Sequence, residues 1–116
     1  MDNAKIKKYK QFAEKKPKYY ALIGDLYSDD GDFKTATTYY QKAVDNGVLA
    51  YTVLGDTWGY LSQYKKAFDV YTEGANKGEA ECFARLGFCY ETGYVKIDIQ
   101  KAIEYYAKAS DLGVAT

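Results

Sequence analysis

Three glycines stand inside stretches of otherwise helical sequence, and each starts the same count. From Gly24, Gly55 and Gly87 to the alanines Ala36, Ala67 and Ala102 the chain runs 12, 12 and 15 residues. From each alanine to a closing glycine, Gly47, Gly78 or Gly113, it runs 11 residues every time. Aromatic and aliphatic residues surround each first glycine at fixed steps: Tyr20, Ile23 and Tyr27; Tyr51, Leu54 and Trp58; Phe83, Leu86 and Tyr90. Steps of three and four put each set on one helical face. A mid-helix glycine costs about 1 kcal/mol against alanine, so its recurrence calls for a second helix in close approach, with the three alanines as the facing surface. The closing glycines read as left-handed helix stops. Two short amphipathic helices cannot bury their apolar faces alone, so the units must stack on one another.

These counts divide the chain, read as a single domain 1–116, into an N-terminal helix over 3–16 and three helix–turn–helix repeats over 18–47, 49–78 and 79–113. The fold class is all-α: an α-α superhelix, or solenoid. In the third repeat Gly93 breaks the first helix and Asp98 caps the second. Ala102, Ile103, Tyr106, Ala109 and Leu112 carry the apolar face of that second helix, and Tyr105 falls on its outer side. In the N-terminal segment Ile6, Tyr9, Phe12 and Ala13 form a narrow apolar stripe among Lys5, Lys7, Lys8, Lys10, Lys15 and Lys16. The reading adopted is a packed helix with a solvated outer face, ahead of an arm for an acidic partner. Pro17 separates it from the first repeat.

The composition excludes several classes of function. Formal net charge is zero, which gives no bulk attraction to nucleic acid or to an anionic membrane. No run reaches membrane-spanning length, and residues 1–18 lack the apolar centre of a secretory signal, so cytoplasmic residence is expected. Histidine is absent. Cys82 and Cys89 lie about 10 Å apart along a helix axis, too far to bridge; they read as small hydrophobes facing the next repeat. The glycines recur in helices rather than in a strand-to-helix turn, and there is no nucleophile elbow and no zinc-spaced cysteine pair. No enzyme, cofactor or metal is expected.

The spacing of an aromatic, an aliphatic–glycine pair and an aromatic, then alanine and a further aromatic four residues on, resembles the tetratricopeptide repeat. The third copy, with A-x5-L-G-x2-Y-x2-G followed by D-x3-A-x2-Y-Y-x-K-A-x3-G, is similar to the Sel-one-like subfamily, whose interhelical turn is longer. The resemblance covers residues 18–113. It implies a right-handed superhelix of antiparallel helix pairs, the first helices lining a concave side, and a binding role rather than chemistry. Relatives cross-linked by a cysteine in each second helix have no counterpart here, where those positions hold Val44, Ala75 and Ser110.

Counted from the central glycines, the implied groove carries Asp25, Asp29, Thr52, Asp56, Tyr60, Glu81, Phe88 and Glu91. It is acidic and partly aromatic, and lacks the Lys and Asn with which family members clamp a C-terminal carboxylate. A protein or peptide segment that is basic or neutral is the expected partner, through a protein–protein interaction module or adaptor. The opposing reading is that these acidic side chains merely keep a solvated face soluble. Two other functions compete: a small bacterial or phage-encoded inhibitor that occludes an enzyme or nucleic-acid-processing complex, and a self-associating unit or fragment of a longer repeat array, for example a homodimer through the C-terminal end.

Overall fold

The computed structural model describes residues 1–115; Thr116, the last residue of the GVAT terminus, lies outside them. Seven helices follow one another among the described residues: α1 (Asn3–Ala13), α2 (Lys18–Asp29), α3 (Phe33–Asp45), α4 (Tyr51–Tyr60), α5 (Tyr64–Asn76), α6 (Glu81–Thr92) and α7 (Ile99–Asp111). They pair as the hairpins α2–α3, α4–α5 and α6–α7. Each hairpin stacks on the next through α3 against α4 and α5 against α6, and α1 packs on α2 in the same way. The first helices α4 and α6 also touch directly. The stack is 48 Å long and 26 by 21 Å across.

The ends of the helices are set locally. Asp2, Asp32 and Asp98 accept from the backbone N–H of Lys5, Thr35 and Lys101 at 3.0, 3.1 and 3.1 Å, each satisfying a donor that the first turn leaves orphaned. Gly47, Gly78 and Gly113 adopt φ of +86°, +94° and +87°. The residue after each donates back five positions, at 3.0, 2.9 and 3.0 Å, to Ala43, Gly74 and Ala109, which is the Schellman stop. The first helix closes at Ala13, three residues before the boundary of 16 expected from sequence. The N–H groups of Lys15 and Lys16 both turn back to the Phe12 carbonyl, and Pro17 disfavours helix in the residue before it.

What lies on the central glycines differs from the sequence expectation. The ring of a tyrosine four residues beyond the alanine covers each glycine, rather than the alanine itself. A Cβ at Gly24 would stand 2.6 Å from Tyr40, and one at Gly87 2.9 Å from Tyr106; at Gly55 it would overlap the Tyr71 ring. Ala36, Ala67 and Ala102 are buried beside these contacts, at 0, 0 and 2 % exposure. Ile23, Leu54 and Leu86 fill the adjoining space, and fully burying each such side chain contributes roughly 1.5–3 kcal/mol.

Three further expectations are corrected. Ile103 in α7 and Leu112 at its C-terminal cap are 56 and 54 % exposed, since among the described residues no helix follows α7 to cover them. Tyr105, expected on the outer side, instead stacks on Tyr90 at 5.7 Å with planes 3° apart. Cys82 and Cys89 are buried toward the preceding repeat, not the next. The Cys82 sulfur lies 3.4 Å from the Thr52 hydroxyl and against Gly74. Burial pushes both thiols up to about 12, so neither is a thiolate at neutral pH.

Candidate interaction groove

The first helix of each hairpin carries a carboxylate that receives a tyrosine hydroxyl from the second. Tyr40 donates to Asp25 at 2.5 Å, Tyr71 to Asp56 at 2.5 Å and Tyr106 to Glu91 at 2.9 Å, each pair 15 residues apart. Each tyrosine is the one whose ring covers the hairpin's central glycine, so one side chain holds the two helices by both contact and hydrogen bond. Burial first, and then the bonded carboxylate, raises all three phenols, Tyr106 to about 12. These carboxylates therefore have an internal partner.

Asp56 is tied a second time. Arg85, the chain's one arginine, forks onto it from α6, with Nε donating to Oδ1 at 2.8 Å and Nη2 to Oδ2 at 3.1 Å. The side chains are 39 and 24 % exposed. The planar guanidinium matches the carboxylate in a bidentate geometry that lysine does not reproduce, and the Asp56 hydrogen bond holds its proton more firmly than in free arginine.

Glu79 makes a comparable tie. The helix α4 has no side-chain cap of its own. Glu79, just before α6, accepts instead from the backbone N–H of Tyr51 at 3.0 Å and of Thr52 at 2.6 Å, and from the Thr52 hydroxyl. One hairpin thus caps the previous one.

The eight residues singled out from sequence fall in different environments. Thr52 is buried, its hydroxyl bonded to Glu79. Asp25, Asp29, Glu81 and Glu91 are exposed. Asp56, Tyr60 and Phe88 line one cavity of about 520 Å³ between α4, the start of α5 and α6. Thr52, Asp56 and Glu81 line a second, of about 620 Å³, beside it. Asp25, Asp29 and Glu91 lie outside both linings. Sequence reasoning missed Arg85, which lines both cavities; Tyr64 and Tyr94, which sequence leaves free of the repeat signature and therefore available to an interface, wall the first. A solitary arginine two residues before a central glycine, in a chain that otherwise uses lysine, was the available signal. Among the described residues no three His, Cys, Asp or Glu side chains are grouped to hold a metal ion, and no helix is long and apolar enough to cross a membrane.

Residues 81–114 match the family profile of the Sel1 repeat, and residues 17–46 match that of a tetratricopeptide repeat. Among solved structures, a Sel1 repeat protein from Oxalobacter formigenes superposes with a TM-score of 0.79 at 24 % identity, over 93 % of this chain and 47 % of that one. MamA superposes with a TM-score of 0.69, also at 24 % identity, over 92 % of this chain and 66 % of its own. At such identity the likeness is one of fold, and the chain spans less than two thirds of either structure. No curated protein sequence matches it.

Proposed function

This chain is a tetratricopeptide/Sel1-like helical-repeat protein, and from that premise we propose that it is a non-catalytic protein-interaction module. Its partner is a basic or neutral polypeptide segment seated on the inner curve of α2, α4 and α6. The observation that carries the reading is the cavity of about 520 Å³, in which the exposed rings of Tyr60 and Phe88 stand beside the Asp56–Arg85 pair. Exposed aromatics around a concavity are the usual anchors of binding energy. The exposed carboxylates of Asp25, Asp29 and Glu81 along the same curve speed the approach of a basic segment more than they tighten the final complex. Free Cys82 and Cys89 suit a reducing compartment such as the cytoplasm.

The test is a photoreactive phenylalanine analogue placed at Phe88 on the curve and, separately, at Thr72 on the outer helix α5, in the source cell. The expected result is one discrete cross-linked protein from position 88 and none from position 72. Cross-links from position 72 alone would remove the groove from consideration. Asp25→Lys, Asp29→Lys and Glu81→Lys together are expected to slow association at low salt. Asp56 is unsuitable for that test because it also anchors Tyr71 and Arg85. A second reading, a homodimer through the C-terminal end, is favoured by Ile99 and Ile103, 54 and 56 % exposed on one side of α7. Sedimentation over a range of concentrations, with Ile103→Lys as the control, separates the two.

A further inference from the structure

Lysines of this chain lie over aromatic rings along much of its length. Lys66 is 4.5 Å from the centre of Trp58, Lys108 is 4.6 Å from Phe83 and Lys101 is 5.2 Å from Tyr90. Among the described residues, four rings that share one cavity have no such cation: Tyr60, Tyr64, Phe88 and Tyr94. The first three are 65, 44 and 41 % exposed. Phe88 and Tyr94 meet at 5.5 Å with their planes 77° apart, and Tyr64 leans on Tyr94 at 4.5 Å and 43°. Rings set at such angles wall a box rather than stack into a slab.

The charges around the box have one sign to spare. The two adjoining cavities share Asp56 and Arg85, and the second adds Glu79 and Glu81. Together the two cavities hold three carboxylates and one guanidinium; Arg85 is forked onto Asp56, and Glu79 is bonded to Tyr51 and Thr52. An anion entering the box would meet the Asp56–Arg85 pair with two more carboxylates in the cavity beside it. A neutral apolar side chain would fill the box but gain nothing from them. A cation gains from the carboxylates and from the negative faces of the rings together.

We infer that this cavity is an aromatic cage for a cationic side chain, lysine or arginine, projecting from the partner's segment. The inference rests on the groove reading and narrows it, from a segment of general basic character to one basic residue with a fixed seat. Phe88 and Tyr94 supply two walls, Tyr60 and Tyr64 the rim, and the Asp56–Arg85 pair holds α4 and α6 at the separation the box requires.

The probe is the acetylated and amidated peptide Gly-Lys-Gly-Lys-Gly, titrated into the labelled protein while the ring resonances are followed by NMR. Its comparison is the same peptide with both lysine amines acetylated, which keeps the length and removes the charge. The lysine peptide is expected to shift the Phe88 and Tyr94 resonances at millimolar concentration, and the acetylated peptide to bind at least about fivefold more weakly. Phe88→Leu keeps an apolar side chain and is expected to weaken the lysine peptide about threefold to thirtyfold. Tyr60→Leu, at the exposed rim, repeats the test where the fold is least involved. Equal binding of the two peptides, unchanged binding by both variants, or no ring shifts with the lysine peptide would each overturn the cage. A cross-link from position 88 that persists alongside any of those results leaves the groove reading standing while the cage falls. Peptide binding at the rings with no cross-link from position 88 sinks the groove reading instead.

Discussion

Replacing Gly55 by alanine tests the contact on which each hairpin is built. Alanine's better helix propensity favours the variant by about 1 kcal/mol. Against that gain, the new methyl group would lie 2.6 Å from Tyr71 Cδ1 and still closer to the next ring atom. The ring has no room to withdraw: Tyr71 is 2 % exposed and its hydroxyl is held by Asp56 at 2.5 Å. If the ring stays, overpacking costs about 1–3 kcal/mol. If it leaves, a hydrogen bond to a charged group is lost, about 1.5–3 kcal/mol, and its packing with it. With ring atoms overlapped the cost falls in the upper part of the overpacking range, and subtracting the propensity gain leaves a net loss of about 1–2 kcal/mol, which lowers the melting temperature of a domain of this size by about 5–10 °C. Urea denaturation followed by circular dichroism at the helical band measures it. The same substitution in a Tyr71→Leu background, where no ring overlies position 55, is expected to be neutral or mildly stabilising, so the cycle isolates the contact. Gly59→Ala is the internal contrast. Its Cβ would press only on the Tyr94 hydroxyl, at 3.0 Å, with two ring carbons at an ordinary 3.8 Å, and the tip of a side chain can shift aside. A Gly55→Ala protein as stable as the parent, or equally destabilised with and without the Tyr71 ring, would refute the account.

Glu79→Ala removes the cap that one hairpin lends another and leaves the Tyr51 and Thr52 donors without it; the expected loss is about 1–2 kcal/mol in chemical denaturation, and a change under about 0.5 kcal/mol would argue against the cap. Alkali is expected to destabilise the fold. Tyr40, Tyr71 and Tyr106 have phenols raised by burial and by their carboxylate partners from the ordinary 10.0. Their contribution is complete below pH 10 and is lost as pH rises through the folded values, because the unfolded chain releases those protons first. Cys82 and Cys89, raised by burial from 9.0 to about 12, start the decline a unit earlier. Denaturation midpoints from pH 8 upward are expected to fall, less steeply in Tyr71→Phe, and a flat profile would contradict the assignment.

The repeat itself was legible because its signals are local. Gly24, Gly55 and Gly87 mark a close approach, and Gly47, Gly78 and Gly113 mark positive φ; both are demands of the backbone that few other residues meet. What occupies each close approach was not legible. Spacing places Tyr71 on the correct helix without telling whether its ring or the Ala67 methyl lies against Gly55. Long-range polar ties were equally silent. Glu79 meets Tyr51 and Thr52 across 28 and 27 positions, and Arg85 meets Asp56 across 29. No periodicity reports such pairs, since each joins a side chain of one hairpin to a group on another. For the same reason position alone assigned Asp56 to the inner curve but said nothing of the hydroxyl and guanidinium that reach it. The exposure of Ile103 and Leu112 follows from the absence of a neighbour beyond α7 among the described residues, and an amphipathic pattern does not record which of its faces goes uncovered.

The tyrosine-to-carboxylate distance bears on how two kinds of repeat share one superhelix. The third hairpin places its tyrosine 19 residues after the central glycine, where the first two use 16, yet the acceptor lies 15 residues before the tyrosine in all three. The longer linker is absorbed by moving the acid three positions along its helix and lengthening it from aspartate to glutamate. The latch is thus gauged from the second helix backward, and the loop between is free to vary. A hairpin of either length can then be exchanged for the other, provided its acidic residue travels with the insertion.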